Sequence, residues 1–119
     1  QKPKEDANAT SADRPEKITA SHVLVAHKDA DPEVTRTKEE AKALAESLRK
    51  QIIDEGKDFA EIARENSDGP SGPNGGDLGE FTFEKMVPPF SEAAFALEIG
   101  GVSEVVETNF GFHVIKRTK

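Results

Sequence analysis

The 119-residue sequence contains no cysteine. That excludes disulfides, a thiolate nucleophile and any cysteine-based zinc or iron site, and leaves the redox compartment open. No apolar run approaches the length of a membrane span, and no signal peptide is present. Positive charge is also in the minority, with 16 Lys and Arg against 23 Asp and Glu for a formal net charge of -7. Phosphates would be repelled by such a surface unless a basic stripe compensated, which argues against nucleic acid as a partner. The cations between Arg36 and Lys57 do not form that stripe: they alternate with Glu and Asp along a helical pattern and read as a solvated helix face.

What is present suits one small domain. The length covers a single core plus a tail, and 34% hydrophobic against 33% charged residues makes that core small and the surface heavily solvated. Residues 1 to 15 (QKPKEDANATSADRP) are polar, charged or small throughout and predict a flexible tail, with the folded domain over 16 to 119. Because the chain begins at Gln1 rather than Met, it is expected to be a processed product or a cloned piece. The tail would suit a tether to a membrane anchor or an upstream domain, which favours an extracytoplasmic, periplasmic or membrane-tethered location over a cytoplasmic one.

From Ile18 to Val25 the residues alternate. Ile18, Ala20, His22 and Leu24 share one face, and Thr19, Ser21, Val23 and Val25 share the other, so this strand is apolar on both faces and expected at the centre of its sheet. TKEE at Thr37 to Glu40 is a capping box, after which Ala41, Leu44, Ala45, Leu48 and Ile52 recur at helical spacing up to a stop at Gly56. A shorter helix runs from an Asp58 cap to about Asn66, with Phe59, Ile62 and Ala63 inward. SDGPSGPNGGDLG, Ser67 to Gly79, predicts a loop; FTFEKMVPPF and SEAAFALEIGG predict two short helices, the second capped by Ser91 and ended at Gly100 and Gly101. The C-terminus reads as a hairpin of Val102 to Glu107 and Phe112 to Arg117, with His113 and Ile115 on one face and Phe112 and Val114 on the other.

His22 and His113 therefore each sit mid-strand among apolar residues. Singly, such a histidine is more often a satisfied core residue than a reactive one; two of them ask for more explanation. Met86 and Phe90 at i,i+4 read by themselves as core packing, and Asp77 as a turn residue bonding its own backbone. Zinc is the rival use of His22, His27 and His113, but their spacing matches no zinc-binding framework.

ITASHVLVAH, RTKEEA at the start of the long helix, NSDGPSGPNGGDLGEF, MVPPFSEAAFAL and TNFGFHVIKRT resemble, in order and spacing, the parvulin-type peptidyl-prolyl cis/trans isomerases. The match runs from about Glu16 to Lys119. It implies an α+β parvulin fold: a four-stranded antiparallel sheet surrounded by four helices, with the first and last strands adjacent at its centre and His22 beside His113. It implies further that Leu78, Met86 and Phe90 line a proline pocket and that Thr108 joins the polar network of the histidines. Many members carry Cys or Asp at the position that is Gly69 here, with Asp68 immediately before it; Asp68 either supplies the catalytic acid instead or fixes the loop.

The activity implied is rotation about X-Pro bonds of unfolded or flexible polypeptides. Amide resonance sets a barrier of about 18–20 kcal/mol, and an apolar, water-poor pocket lowers it by destabilising the planar form relative to the twisted one. A covalent route through a thiol is closed, since Gly69 has no side chain. No cofactor and no metal is required, the substrates are proline-containing polypeptides, the domain itself does not insert in a membrane, and a monomer is expected. Parvulins that prefer phosphorylated residues before proline imply Arg or Lys clustered after the first strand. Here that loop reads AHKDADPEVTR, and Asp29, Asp31 and Glu33 would repel a phosphate, so no phospho-specificity is expected. The rival function is a peptide-binding chaperone domain of the same fold with little isomerase activity.

Overall fold

The computed structural model describes residues 15–119; the tail predicted over 1 to 15 lies, apart from residue 15, outside them. Four antiparallel strands form one sheet in the order β2-β1-β4-β3, where β1 is Lys17–Val25, β2 is Asp77–Thr82, β3 is Val106–Thr108 and β4 is Gly111–Arg117. The first and last strands thus lie adjacent at the centre, as the resemblance implied. Three α-helices cover the sheet: α1 (Lys38–Ile53), α2 (Phe59–Asn66) and α3 (Pro88–Phe95), with 3-10 turns at Gly72–Asn74 and Phe83–Lys85.

The alternation in β1 and β4 sorts the core into two clusters. Val23, Val25, Phe112 and Val114 pack with Ala41, Ala45 and Leu48 of α1 and Phe59, Ile62 and Ala63 of α2. Ile18, Ala20 and Ile115, from the opposite face of the same strands, pack with Phe81 of β2 and Phe90, Ala94 and Phe95 of α3. The helix starts follow the local chemistry. Thr37 accepts from the Glu40 amide at 3.1 Å while the Glu40 carboxylate accepts from the Thr37 amide at 2.8 Å, and Asp58 accepts from the Glu61 amide at 3.1 Å.

Three expectations are corrected. The loop expected over Ser67 to Gly79 ends in the sheet, because Asp77 begins β2, which continues through Phe81 and Thr82 where a helix was expected. The alternation there is weak, since only Phe81 is buried, and the glycines beside it mask the strand. The two short helices expected on either side of Ser91 are one helix, α3, with proline in its first turn, where a missing N–H costs nothing. Ser91 is interior to it and donates to the Phe83 carbonyl instead of capping, and the helix stops at Phe95. Among the described residues there are therefore three α-helices and two 3-10 turns, against the four helices expected. Finally, the expected strand from Val102 joins the ladder only at Val106, apart from an isolated bridge between Val102 and Lys116. At Ser103 the hydroxyl, accepting from the Ile115 amide at 3.0 Å, replaces the backbone carbonyl.

Candidate active site

His22 lies opposite Ile115 and His113 lies opposite Leu24 in the β1–β4 ladder, so the two histidines are diagonal neighbours on one face. Their Nδ1 atoms are 3.0 Å apart and the rings are nearly parallel, at 21°. Thr108, at the end of β3, extends the chain: its Oγ1 is 2.7 Å from His113 Nε2 and accepts from the Phe110 amide at 3.1 Å. Phe90 of α3 stands edge-on to both imidazoles, with centroids 5.5 Å and 5.2 Å away.

An Nδ1–Nδ1 contact holds one proton, so one imidazole donates and the other accepts. A charged pair would lose that bond and gain repulsion in a site where both rings are at least nine-tenths buried. Burial lowers the His22 pKa to about 4, and burial together with the neighbouring His22 lowers that of His113 to about 3. Both are neutral at pH 7. Two proton arrangements follow. If His113 gives its Nδ1 proton to His22, its Nε2 accepts from Thr108; if His22 gives, His113 Nε2–H donates to Thr108. The free end of the chain in either case is His22 Nε2.

The imidazoles border a cavity of about 270 Å³ whose other walls are Leu78, Met86, Val87, Phe90 and Phe110, with Lys85 at its edge. Leu78, Met86 and Phe90 are the expected pocket residues, and the structure brings all three to the histidines. Sequence reasoning passed over Val87, Lys85 and Phe110. Phe110 carried a signal, an aromatic beside glycine in a turn, and it is 57% exposed.

Asp68 stands apart from this chain of contacts. Its Oδ2 accepts from the Ala26 amide at 3.0 Å and from Arg36 Nη1 at 2.6 Å, while its own amide donates to the Leu24 carbonyl at 2.7 Å. It clips the loop to the end of β1. The next residue, Gly69, is the one that faces the site: a Cβ there would sit 3.5 Å from His22 Nε2. Asp77 bonds the Gly79 amide at 2.9 Å, the turn role its sequence suggested. His27 is buried against Phe112, in the core under α1 and α2, so the three histidines are not brought together.

The glycines of GGDLG position His22 directly. Gly76, at φ 83°, accepts from the His22 amide at 2.9 Å, and a Cβ on it would lie 2.2 Å from the His22 carbonyl oxygen. Only glycine lets the loop backbone lie on β1 at this point.

A four-stranded antiparallel sheet with paired neutral histidines at its centre and an apolar cavity against them defines the parvulin class of rotamase fold. The family model described as the PPIC-type PPIASE domain matches residues 7–119, and the chain belongs to that family of peptidyl-prolyl cis-trans isomerases. It is 41% identical over 120 residues to the peptidyl-prolyl cis-trans isomerase pin1 of Schizosaccharomyces pombe, a match covering 95% of this chain and 69% of that protein. With the foldase protein PrsA of Geobacillus sp. (strain WCH70) it shares 46% identity over 103 residues, covering 86% of this chain and 32% of that one. Among solved structures, the peptidyl-prolyl isomerase ESS1 from Candida albicans superposes with a TM-score of 0.83 at 34% identity, covering 87% of this chain and 63% of that one. The enzymatic class is thereby fixed: the domain isomerises X-Pro bonds in proline-containing polypeptides. Among the described residues no helix is long and apolar enough to cross a membrane.

Proposed function

We propose that the domain accelerates X-Pro rotation without covalent chemistry, holding the pyrrolidine ring on Leu78, Met86 and Phe90 while His22, His113 and Thr108 orient the carbonyl before it. The observation that carries this reading is the Nδ1–Nδ1 contact of two neutral histidines against an apolar cavity. Twisting the amide returns electron density to nitrogen, and the apolar wall disfavours the more strongly solvated planar form. The Thr108–His113–His22 chain stays neutral in either proton arrangement, so it can meet the moving oxygen without burying a charge. Asp68, held by Arg36 and Ala26, serves the loop in this scheme, and Gly69 leaves His22 Nε2 uncovered.

Neutral residues before proline are accepted on this reading at least as well as phosphorylated ones. In the loop after β1, Arg36 is engaged by Asp68 and the Ala26 carbonyl, and Lys28 shares its loop with Asp29, Asp31 and Glu33; Lys85, at the cavity edge, is a single cation. A dianion would have to displace an existing ion pair. The foldase name of the PrsA relative favours unfolded chains as clients.

The test is NMR exchange on matched Leu-Pro, Glu-Pro and phosphoSer-Pro peptides at one ionic strength. Leu-Pro exchange should be accelerated at least as strongly as phosphoSer-Pro, and Met86→Ala should reduce it more than Asp68→Ala does. A phosphopeptide preference that disappears at high salt would assign Lys85, Lys28 or Arg36 to a phosphate site. Peptides bound without acceleration would favour the chaperone reading.

A further inference from the structure

The strand order leaves β3 at an edge of the sheet. Its ladder with β4 pairs Val106 with His113, Glu107 with Phe112 and Thr108 with Gly111, across a turn of two residues. In such a hairpin the closing pair, Thr108 and Gly111, exchanges both main-chain bonds, the next pair none and the third both again. The N–H and C=O of Val106 and Thr108 therefore face β4, and those of Glu107 face away from the sheet. Among the described residues nothing bonds either group.

The side chain and main chain of Glu107 lead to different places. The side chain shares the α1 face with its ladder partner Phe112 and pairs with Lys38 at 2.7 Å. The residue nevertheless borders a second cavity, of about 380 Å³, whose other walls are Val87, Pro88, Pro89, Thr108 and Asn109. With the carboxylate turned to α1, what Glu107 presents to that space is its main-chain edge. The space continues from the proline cavity: Val87 borders both, and Thr108 is bonded to His113 of the first. Pro88 and Pro89 have no N–H, so this part of the α3 wall offers C–H surface and no competing donor.

We propose that the free edge of β3 takes an extended stretch of the substrate as an added strand, the Glu107 amide donating to one substrate residue beside the X-Pro bond and the Glu107 carbonyl accepting from it. The proposal rests on the proline-pocket reading above and adds the part of the polypeptide that is held while the bond turns. Rotation about one bond needs one flank fixed, and main-chain bonds fix it whatever its sequence. Side chains alternate along an extended chain, so the residue opposite Glu107 points to the α1 face and its neighbours to the α3 face, over Val87, Pro88 and Pro89. A proline in the cavity also lies on the α3 face. It therefore falls an odd number of residues from the one paired with Glu107, where its missing N–H costs nothing. The shortness of β3 and the charge at its centre keep this edge from pairing widely, so the contact alone is weak.

The experiment titrates the 15N-labelled full chain with a peptide carrying one Ala-Pro bond. Near saturation the hydrogen exchange of the Glu107 amide should slow by about threefold or more, while the Val106 and Thr108 amides, already bonded to β4, should not change. Replacing one peptide N–H at a time by an ester oxygen should weaken binding about twofold to tenfold at a single position, an odd number of residues from the proline. Glu107→Pro removes the outward N–H and leaves the ladder whole, because edge strands tolerate proline where the N–H faces outward. With its fold checked by a melting curve, it should lose affinity by a similar factor. A Glu107 amide left unprotected near saturation, an ester scan with no sensitive position or one at an even offset, or a folded Glu107→Pro variant of full affinity overturns the added strand. So does Glu107 protection that grows with protein concentration in the absence of peptide, which would assign the edge to a second copy of the chain. Failure of the proline-pocket reading looks different: peptides with Ala in place of Pro would bind as tightly and protect Glu107 equally.

Discussion

Under α1 and α2 the central strands present Val23, Val25 and Val114 to Ala41, Ala45 and Leu48; under α3 the same strands present Ile18, Ala20, Ile115 and two histidines to Phe90, Ala94 and Phe95. The first face is closed. Its cover is a helix of 16 residues whose alanines let it sit close, with α2 filling the side. The second face is covered by a helix of only eight residues, and where that cover runs out the histidines are roofed by the edge of Phe90 and the cavity opens. One alternation of residues along two strands thus makes a sealed core on one side and a polar pair beside an apolar cavity on the other. The pair is tolerated in the interior because each imidazole satisfies the other.

The largest effects should separate these faces. Leu48→Ala is expected to cost about 2–5 kcal/mol of stability, and Phe90→Ala about 3–5 kcal/mol. Only Phe90→Ala should also lower the exchange rate per folded molecule, because only Phe90 borders the cavity. Chemical denaturation gives the first quantity and NMR exchange on the residual folded protein the second. An equal rate loss in both variants would mean that the closed face is not independent of the site.

Acid should act on the open face alone. Each histidine has a folded pKa below its ordinary value of 6.5, about 4 for His22 and about 3 for His113, so the unfolded chain binds protons that the folded one refuses. Their contribution is fully present above pH 6.5 and is lost as pH falls from there toward 4, at about 1.4 kcal/mol per pH unit for each fully titrating group. Stability from denaturant curves at pH 7.5, 6 and 5 should fall on the acid side, and His22→Gln should flatten the slope. A flat profile between pH 7.5 and 5 would mean that the rings are not held neutral.

The loop clip is worth less. Asp68→Asn keeps the shape but weakens two charge-assisted bonds, to the Ala26 amide and to Arg36, in a partly exposed place. About 1–2 kcal/mol of stability should go, with a smaller change in rate than Met86→Ala produces. A rate loss exceeding that of Met86→Ala would put the carboxylate in the chemistry.

Much of this was legible from residue order alone. The alternation in β1 and β4 gave the two faces and put both histidines on the same kind of position, and the Thr37 and Asp58 caps marked where two helices begin. What periodicity could not show was pairing: that His22 and His113 meet diagonally is a property of ladder register, and only the resemblance supplied it. β2 was hidden because Gly79, at positive φ, removes a side chain inside it, and Gly75 and Gly76, which serve close approach just before it, make its start read as a loop. Asp68 and Gly69 are adjacent in sequence, and no pattern says which of them faces the site; the clip to Ala26 and Arg36 decides it.

The smallest expected effect is at Gly69, and it bears on why the open face works without a side chain there. The residue does not have a positive φ, and an added Cβ would meet His22 Nε2 and Leu24 at 3.5 Å, which is ordinary contact. Gly69→Ala should therefore fold unstrained and gain about 0.4–1 kcal/mol by restricting the unfolded chain. A methyl group neither donates nor accepts, so if His22 Nε2 needs no partner at this position the exchange rate should change by less than about threefold, roughly 0.7 kcal/mol in the barrier. Gly69→Asp differs in kind. A carboxylate beside the same nitrogen favours imidazolium, raising the His22 pKa toward its ordinary value and moving the acid loss of rate to higher pH. Measuring rate against pH for the wild type, Gly69→Ala and Gly69→Asp separates the outcomes. Faster exchange in Gly69→Asp near pH 7 would show that the site lacks an acid it can use. An unchanged alanine variant beside a slower aspartate variant would show that the neutral histidine chain is sufficient and that the glycine keeps it so.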